Sequence, residues 1–112
     1  MLSIRYADAP TAITSIGLAF GFEAHLVVAD ADGGIAHAQL VNGRAVVMIG
    51  SARDDAVGPL QRPLLDRTGP VSQRLYMIVA DVGSHCGRAR AAGGQMVSEP
   101  QTQPYGGWLY SC

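Results

Sequence analysis

Apolar and polar positions alternate in short runs through most of the chain, with one long interruption. Leu2, Ile4 and Tyr6 alternate with Ser3 and Arg5, the period of a strand buried on one side. Ala12, Ile13, Ile16 and Phe20 then recur at helical spacing. Asp8 is placed to accept from the free N–H groups of that helix, Pro10 suits its first turn, and Gly21 stops it. Three further strands are predicted. Glu23 to Ala29 ends in Asp30-Ala31-Asp32-Gly33-Gly34, Ile35 to Val41 ends in Asn42-Gly43, a strong hairpin signal, and Arg44 to Ile49 is the last. The first part of the chain therefore reads β-α-β-β-β.

The pattern returns 73 positions later. Leu2, Ile4, Tyr6, Ala7, Asp8 and Ala9 fall on Leu75, Met77, Val79, Ala80, Asp81 and Val82, and Ala19 and Gly21 fall on Ala92 and Gly94. The second copy predicts a strand from Arg74 to Val79, a helix capped by Asp81 and stopped by Gly93 with Gly94, and strands from Gln95 to Gln103 and from Gly107 onward. One domain thus divides into module one (1–50), a linker (51–73) and module two (74–112). The linker, with Pro59, Pro63, Pro70, Gly58 and Gly69, exceeds the roughly 12 to 15 residues usual for a structureless connection, and is expected to cover part of a pocket. Equivalence at offset 73 would end module two near position 123, about one strand beyond Cys112. A sheet edge and a concave face left open in this way predict a homodimer, with modules exchanged or side by side.

Composition narrows the classes. With 112 residues, 48% hydrophobic, 15% charged and a net charge of −1, the chain suits one globular domain and carries no electrostatic footprint for nucleic acid. Its longest apolar stretches, such as Ala45 to Ile49, fall far short of the roughly 20 residues that span a bilayer, so no membrane is expected. Two cysteines, Cys86 and Cys112, make no disulfide framework, and no leader-like segment opens the sequence; a cytoplasmic location is expected.

The duplicated β-α-β-β-β pattern carries local strings of its own. They are Tyr6-Ala7-Asp8-Ala9, Ala19-Phe20-Gly21-Phe22-Glu23, Gly34-Ile35-Ala36-His37-Ala38, Arg88-Ala89-Arg90-Ala91-Ala92-Gly93 and Pro104-Tyr105-Gly106. Together they resemble the vicinal-oxygen-chelate superfamily of glyoxalases, bleomycin-resistance proteins, fosfomycin-resistance enzymes and extradiol dioxygenases, across the whole chain. The resemblance implies an α+β fold of two β-α-β-β-β modules forming a curled mixed sheet around a cavity, here with the last strand of module two missing. It also implies, for the enzymes, a divalent metal held by one ligand from the first and one from the last strand of each module.

Transferred onto this sequence, those ligand positions fall at about Met1, about Arg74, the Arg44 to Ile49 strand and the missing strand. Met is soft and neutral, Arg is permanently cationic, and Arg44 to Ile49 holds no Asp, Glu or His. No metal cofactor is therefore expected.

Alternation then suggests what lines the cavity. If Leu75, Met77 and Val79 face the helix, Arg74, Tyr76 and Ile78 face the concavity, as do Ser3 and Arg5 in the first strand, while Trp108 and Tyr110 share one face of the last stretch. Arg5, Arg74, Tyr76, Trp108 and Tyr110 would suit a flat or anionic ligand through stacking and cation–π contacts. The competing account has the aromatics filling a sheet interface or dimer seam. The family context implies that His37 borders the pocket with Gln39 on its face, although a lone strand histidine is more often a satisfied core residue. His85 and Cys86, adjacent on a helix, point about 100° apart and cannot share a proton directly. Cys86 reads as core. Asp30, Asp32, Asp54 and Asp55 lack the spacing of a calcium loop and read as solvated turn acids.

Three functions remain. The leading one is a metal-free small-molecule-binding protein of the bleomycin-resistance type, sequestering an aromatic or anionic compound. The alternative is a glyoxalase-like metal-dependent lyase, isomerase or dioxygenase with atypical ligands such as His25, His37 or Glu99. The third is a decayed relative that retains only dimerisation.

Overall fold

The computed structural model describes residues 2–52 and 73–112. The alternation of the first module resolves into β1 (Leu2–Tyr6), α1 (Ala9–Phe20), β2 (Glu23–Ala29), β3 (Ile35–Asn42) and β4 (Ala45–Ser51). These strands form one sheet in the order β1-β4-β3-β2, with β1 parallel to β4 and the other pairs antiparallel. Ser51, expected at the start of the linker, belongs to β4. It is buried, and its Oγ accepts the Ile35 amide at 2.8 Å.

One face of the sheet carries the core. Ile35, Ala38 and Leu40 of β3 and Val47 and Ile49 of β4 are buried with Ala9 and Phe22, and Ile13, Ile16 and Phe20 of α1 pack against them. Burial on alternate residues of β3 and β4 is the physical content of their sequence pattern: apolar side chains under α1 leave water, and their neighbours point the other way.

The second copy is built differently. It comprises α2 (Val82–Ala91) and an antiparallel pair, β5 (Ser98–Thr102) with β6 (Trp108–Ser111). The predicted strand from Arg74 to Val79 is not formed: residues 73–80 join no ladder among the described residues. β1 is a strand because β4 runs beside it, and no equivalent of β4 lies beside 74–79 among those residues. The hydrophobic alternation nevertheless survives, since Met77 packs against the core while Tyr76 and Ile78 are exposed. Positions 53–72, which hold most of the expected linker, lie outside the described residues. Among the described residues no helix is long and apolar enough to cross a membrane.

α2 docks on the end of α1. Arg88 donates from Nε to the Leu18 carbonyl at 2.9 Å and from Nη2 to that of Gly17 at 3.1 Å. Asn42 donates to the Phe20 carbonyl at 3.0 Å, and His85 Nε2 reaches the same oxygen at 3.3 Å. Gly21, at φ 76°, closes the helix in the left-handed region, and a Cβ there would stand 3.1 Å from Arg88 Nη1.

Both helices start as the sequence predicts. The Thr11 hydroxyl and amide donate to Asp8, and the Ser84 amide and hydroxyl donate to Asp81; these bonds hold both carboxyls below their ordinary value of 3.8. The folded chain therefore binds fewer protons at these sites than the unfolded chain, so their stabilisation is present above about pH 3.8 and is lost as pH falls through the lowered values. Thermal melts between pH 5 and pH 2.5 should show a steeper fall in midpoint for the natural chain than for the Asp8→Asn/Asp81→Asn variant, which keeps a capping oxygen that does not titrate.

Candidate ligand-binding face

The strand register decides which residues share the face that α1 does not cover. Arg5 pairs with Gly50, Ser3 and Gln39 both pair with Met48, and His37 and Gln39 pair with Val28 and Leu26. Paired residues point to the same side of a sheet. Arg5, His37 and Gln39 therefore come together opposite the core, with Leu26, Val28 and Met48 as apolar neighbours. Glu23, opposite Val41, lies at the far end of β2 on the same face.

Gly50 creates a notch in this face. The pairing of β3 with β4 ends at Ala38 and Ile49, β3 shifts register between His37 and Ile35, and the carbonyls of Ala36 and Ile35 approach Gly50, which pairs with Arg5 on its other side. Two strand spacings, about 10 Å, separate the strand of Arg5 from that of His37. Among the described residues, only the carbonyl oxygens of Ala36 and Ile35, at 3.6 and 3.8 Å, come within 4 Å of where a Gly50 Cβ would sit.

The polar groups around the notch have defined roles. The Gln39 amide donates to His37 Nε2 at 3.2 Å, so the neutral ring carries its proton on Nδ1. Arg5 is anchored by a bond from Nη1 to the Ser51 carbonyl at 3.3 Å.

The other sequence candidates go elsewhere. Tyr110 turns to α2: its hydroxyl lies 2.6 Å from His85 Nδ1, and with Nε2 directed at the Phe20 carbonyl, Nδ1 accepts the phenolic proton. The Phe20 ring stacks on His85 at 6.0 Å between centroids. Burial pushes the Tyr110 phenol above its ordinary value, and the nearby thiols of Cys112 and Cys86 add to the shift. Arg74 donates to the Ser111 hydroxyl at 2.9 Å. Tyr76 is exposed, and Trp108, also exposed, edges a shallow groove beside Ala80 to Gly83. A second open groove, about 340 Å³, runs between Asn42, Val79, Asp81, His85 and Arg88.

Among the described residues, the donors at the expected ligand positions do not match a divalent-metal site. Arg74 donates to Ser111, β4 offers no His, Asp or Glu, Glu99 is ion-paired with Arg90, and His25 sits at a bulge in β2. Among the described residues no three of His, Cys, Asp and Glu gather in metal-binding geometry.

Two features lie beyond the sequence reading. Nothing in the sequence ties His85 to Tyr110, 25 positions away. Gly50, a glycine inside a strand, carries a signal of close approach to a ligand or backbone.

No family model matches the chain, and neither does any curated protein. Solved structures do. TioX from Micromonospora sp. ML1 superposes with a TM-score of 0.68 at 27% identity, over 97% of this chain and 83% of that one. The hypothetical protein SA1046 from S. aureus gives 0.67 at 17% identity, over 98% and 82%. An integron cassette protein from the mobile metagenome of V. cholerae gives 0.58 at 17% identity, over 97% and 81%. The chain thus has the glyoxalase and bleomycin-resistance type of fold.

The His85–Tyr110 bond should be measurable as stability. Tyr110→Phe removes the hydroxyl and keeps the ring, and urea denaturation should show a loss of about 1 kcal/mol with an unchanged far-UV spectrum.

Proposed function

We propose that this protein binds a flat organic compound, without a divalent metal, on the sheet face that α1 leaves open, and that it sequesters the compound in the manner of bleomycin-resistance proteins. The observation that carries the proposal is the gathering of Arg5, His37 and Gln39 around the Gly50 notch, edged by Leu26, Val28 and Met48. Polar groups few in number and fixed in place, set among apolar ones, are the usual make-up of a small-molecule site. Arg74, Tyr76 and Trp108 of the second half stand apart from this face, and Tyr110 supports that half through His85.

The working form in this proposal is a homodimer in the cytoplasm. Leu26, Val28, Leu75 and Tyr76 are 43%, 44%, 49% and 68% exposed, and a second copy would remove much of this apolar surface from water. Both cysteines are free, as a reducing compartment requires.

Amide spectra recorded during titration with a panel of flat aromatic compounds test the binding site. Shifts should centre on Arg5, His37, Gln39 and Gly50. Shifts confined to α2 and the groove beside it would contradict the proposal, as would a stoichiometric divalent metal held at micromolar affinity or better. Sedimentation should show a dimer at micromolar concentration, and a stable monomer would contradict that part.

A further inference from the structure

We infer that Cys86 and Cys112 form a modification site, a thiol pair that a peroxide converts to a disulfide within one chain. The placement comes first. The β5–β6 pair meets α2 at two points: Glu99 pairs with Arg90, and the Tyr110 hydroxyl bonds His85 Nδ1 at 2.6 Å. Cys86 stands next to His85 and one helical turn before Arg90, whose Nη2 reaches its Sγ at 4.0 Å, so its thiol lies between those points. The same thiol donates to Met96 Sδ at 3.5 Å. Cys112 comes to this place from β6. Its S–H group donates to the oxygen of Tyr110, two residues earlier, and the two thiols act electrostatically on each other.

Exposure assigns the roles. Cys86 is 2% exposed, whereas Cys112 lies at the surface, so Cys112 meets the peroxide and Cys86 resolves the product. The Cys112 sulfur attacks the peroxide, the O–O bond breaks, and the thiol proton leaves with the departing oxygen as water or an alcohol; Cys112 becomes a sulfenic acid. The Cys86 sulfur then displaces that hydroxyl, the S–S bond forms, and the Cys86 proton leaves with the hydroxyl as water. The two thiols together give up two electrons, and one peroxide takes both. Burial, with Cys86 nearby, holds the Cys112 thiol above its ordinary value of 9.0, so it rests protonated and the first step calls for millimolar peroxide. Cys112 belongs to no ladder among the described residues, so closing the bond breaks no strand pairing. The product adds a covalent tie between α2 and β6 to the contacts of His85 and Arg90.

The test uses the full chain, fully reduced, with hydrogen peroxide as the probe, followed by N-ethylmaleimide and mass spectrometry. The oxidised chain should take up no maleimide, and two after dithiothreitol. Cleavage after arginine should yield segment 75–88 joined to segment 91–112. Cys112→Ser, at an exposed site and with unchanged melting, should leave Cys86 a thiol over the same time. Cys86→Ser should leave on Cys112 a sulfenic acid that dimedone traps. Amides of β6 should exchange about tenfold more slowly in the linked chain. Joined segments found only in a covalent dimer would overturn the inference, as would sulfinic acid on Cys112 with Cys86 still a thiol. Oxidation of Cys86 at the same rate in Cys112→Ser would overturn the assignment of roles, and faster exchange in β6 on linking would show that the fold opposes the bond and would overturn the site.

Discussion

The last turn of α1 is where the two halves of the molecule are joined. A helix leaves its final carbonyls without intrahelical partners and gathers partial negative charge there. In this chain the Gly21 amide caps the carbonyl of Gly17, Arg88 adds bonds to those of Gly17 and Leu18, and Asn42 and His85 converge on that of Phe20. The guanidinium meets charge of opposite sign, and Gly21, lacking a Cβ, leaves room for it. α2 is thereby set on α1. The β5–β6 pair follows, through the Arg90–Glu99 ion pair and the bond between Tyr110 and His85.

This seam determines which surfaces remain for function. α1 is committed on one side to the sheet, whose core residues it covers, and at its end to α2. Among the described residues no second helix covers the other sheet face. That face consequently carries half-exposed apolar residues with Arg5, His37 and Gln39 among them, an arrangement that costs stability unless something covers it. The proposed ligand and the proposed second copy would each remove part of this surface from water.

Much of the first module was legible because its elements satisfy themselves locally. The period of two in Leu2 to Tyr6, the Asn42-Gly43 turn and the Asp8 cap each describe a contact made within a few residues or with an adjacent strand. The bounds of β2 agree with the reading to the residue. That Arg5 shares a face with His37 and Gln39 was not legible, since alternation assigns sides within a strand and the strand order that joins them comes only from the fold. Residues 74–79 misled because the pattern of a strand records burial and not pairing: Met77 is buried as expected, yet a strand needs a neighbour to bond. For Tyr110 the sequence gives a strand face and not what lies against it, which in the fold is His85. Its partner, His85, lies on a helix whose docking depends on Arg88 reaching carbonyls 70 and 71 positions away. Contacts of that range leave no periodic trace.

The seam can be tested directly by amide hydrogen exchange, residue by residue, on the natural chain and on Arg88→Met, which keeps apolar bulk and removes the donors. Amides of α2, β5 and β6 should exchange faster in the variant while those of β3 and β4 keep their protection. Protection left unchanged in α2 and the β5–β6 pair would contradict the claim that the end of α1 holds the two halves together.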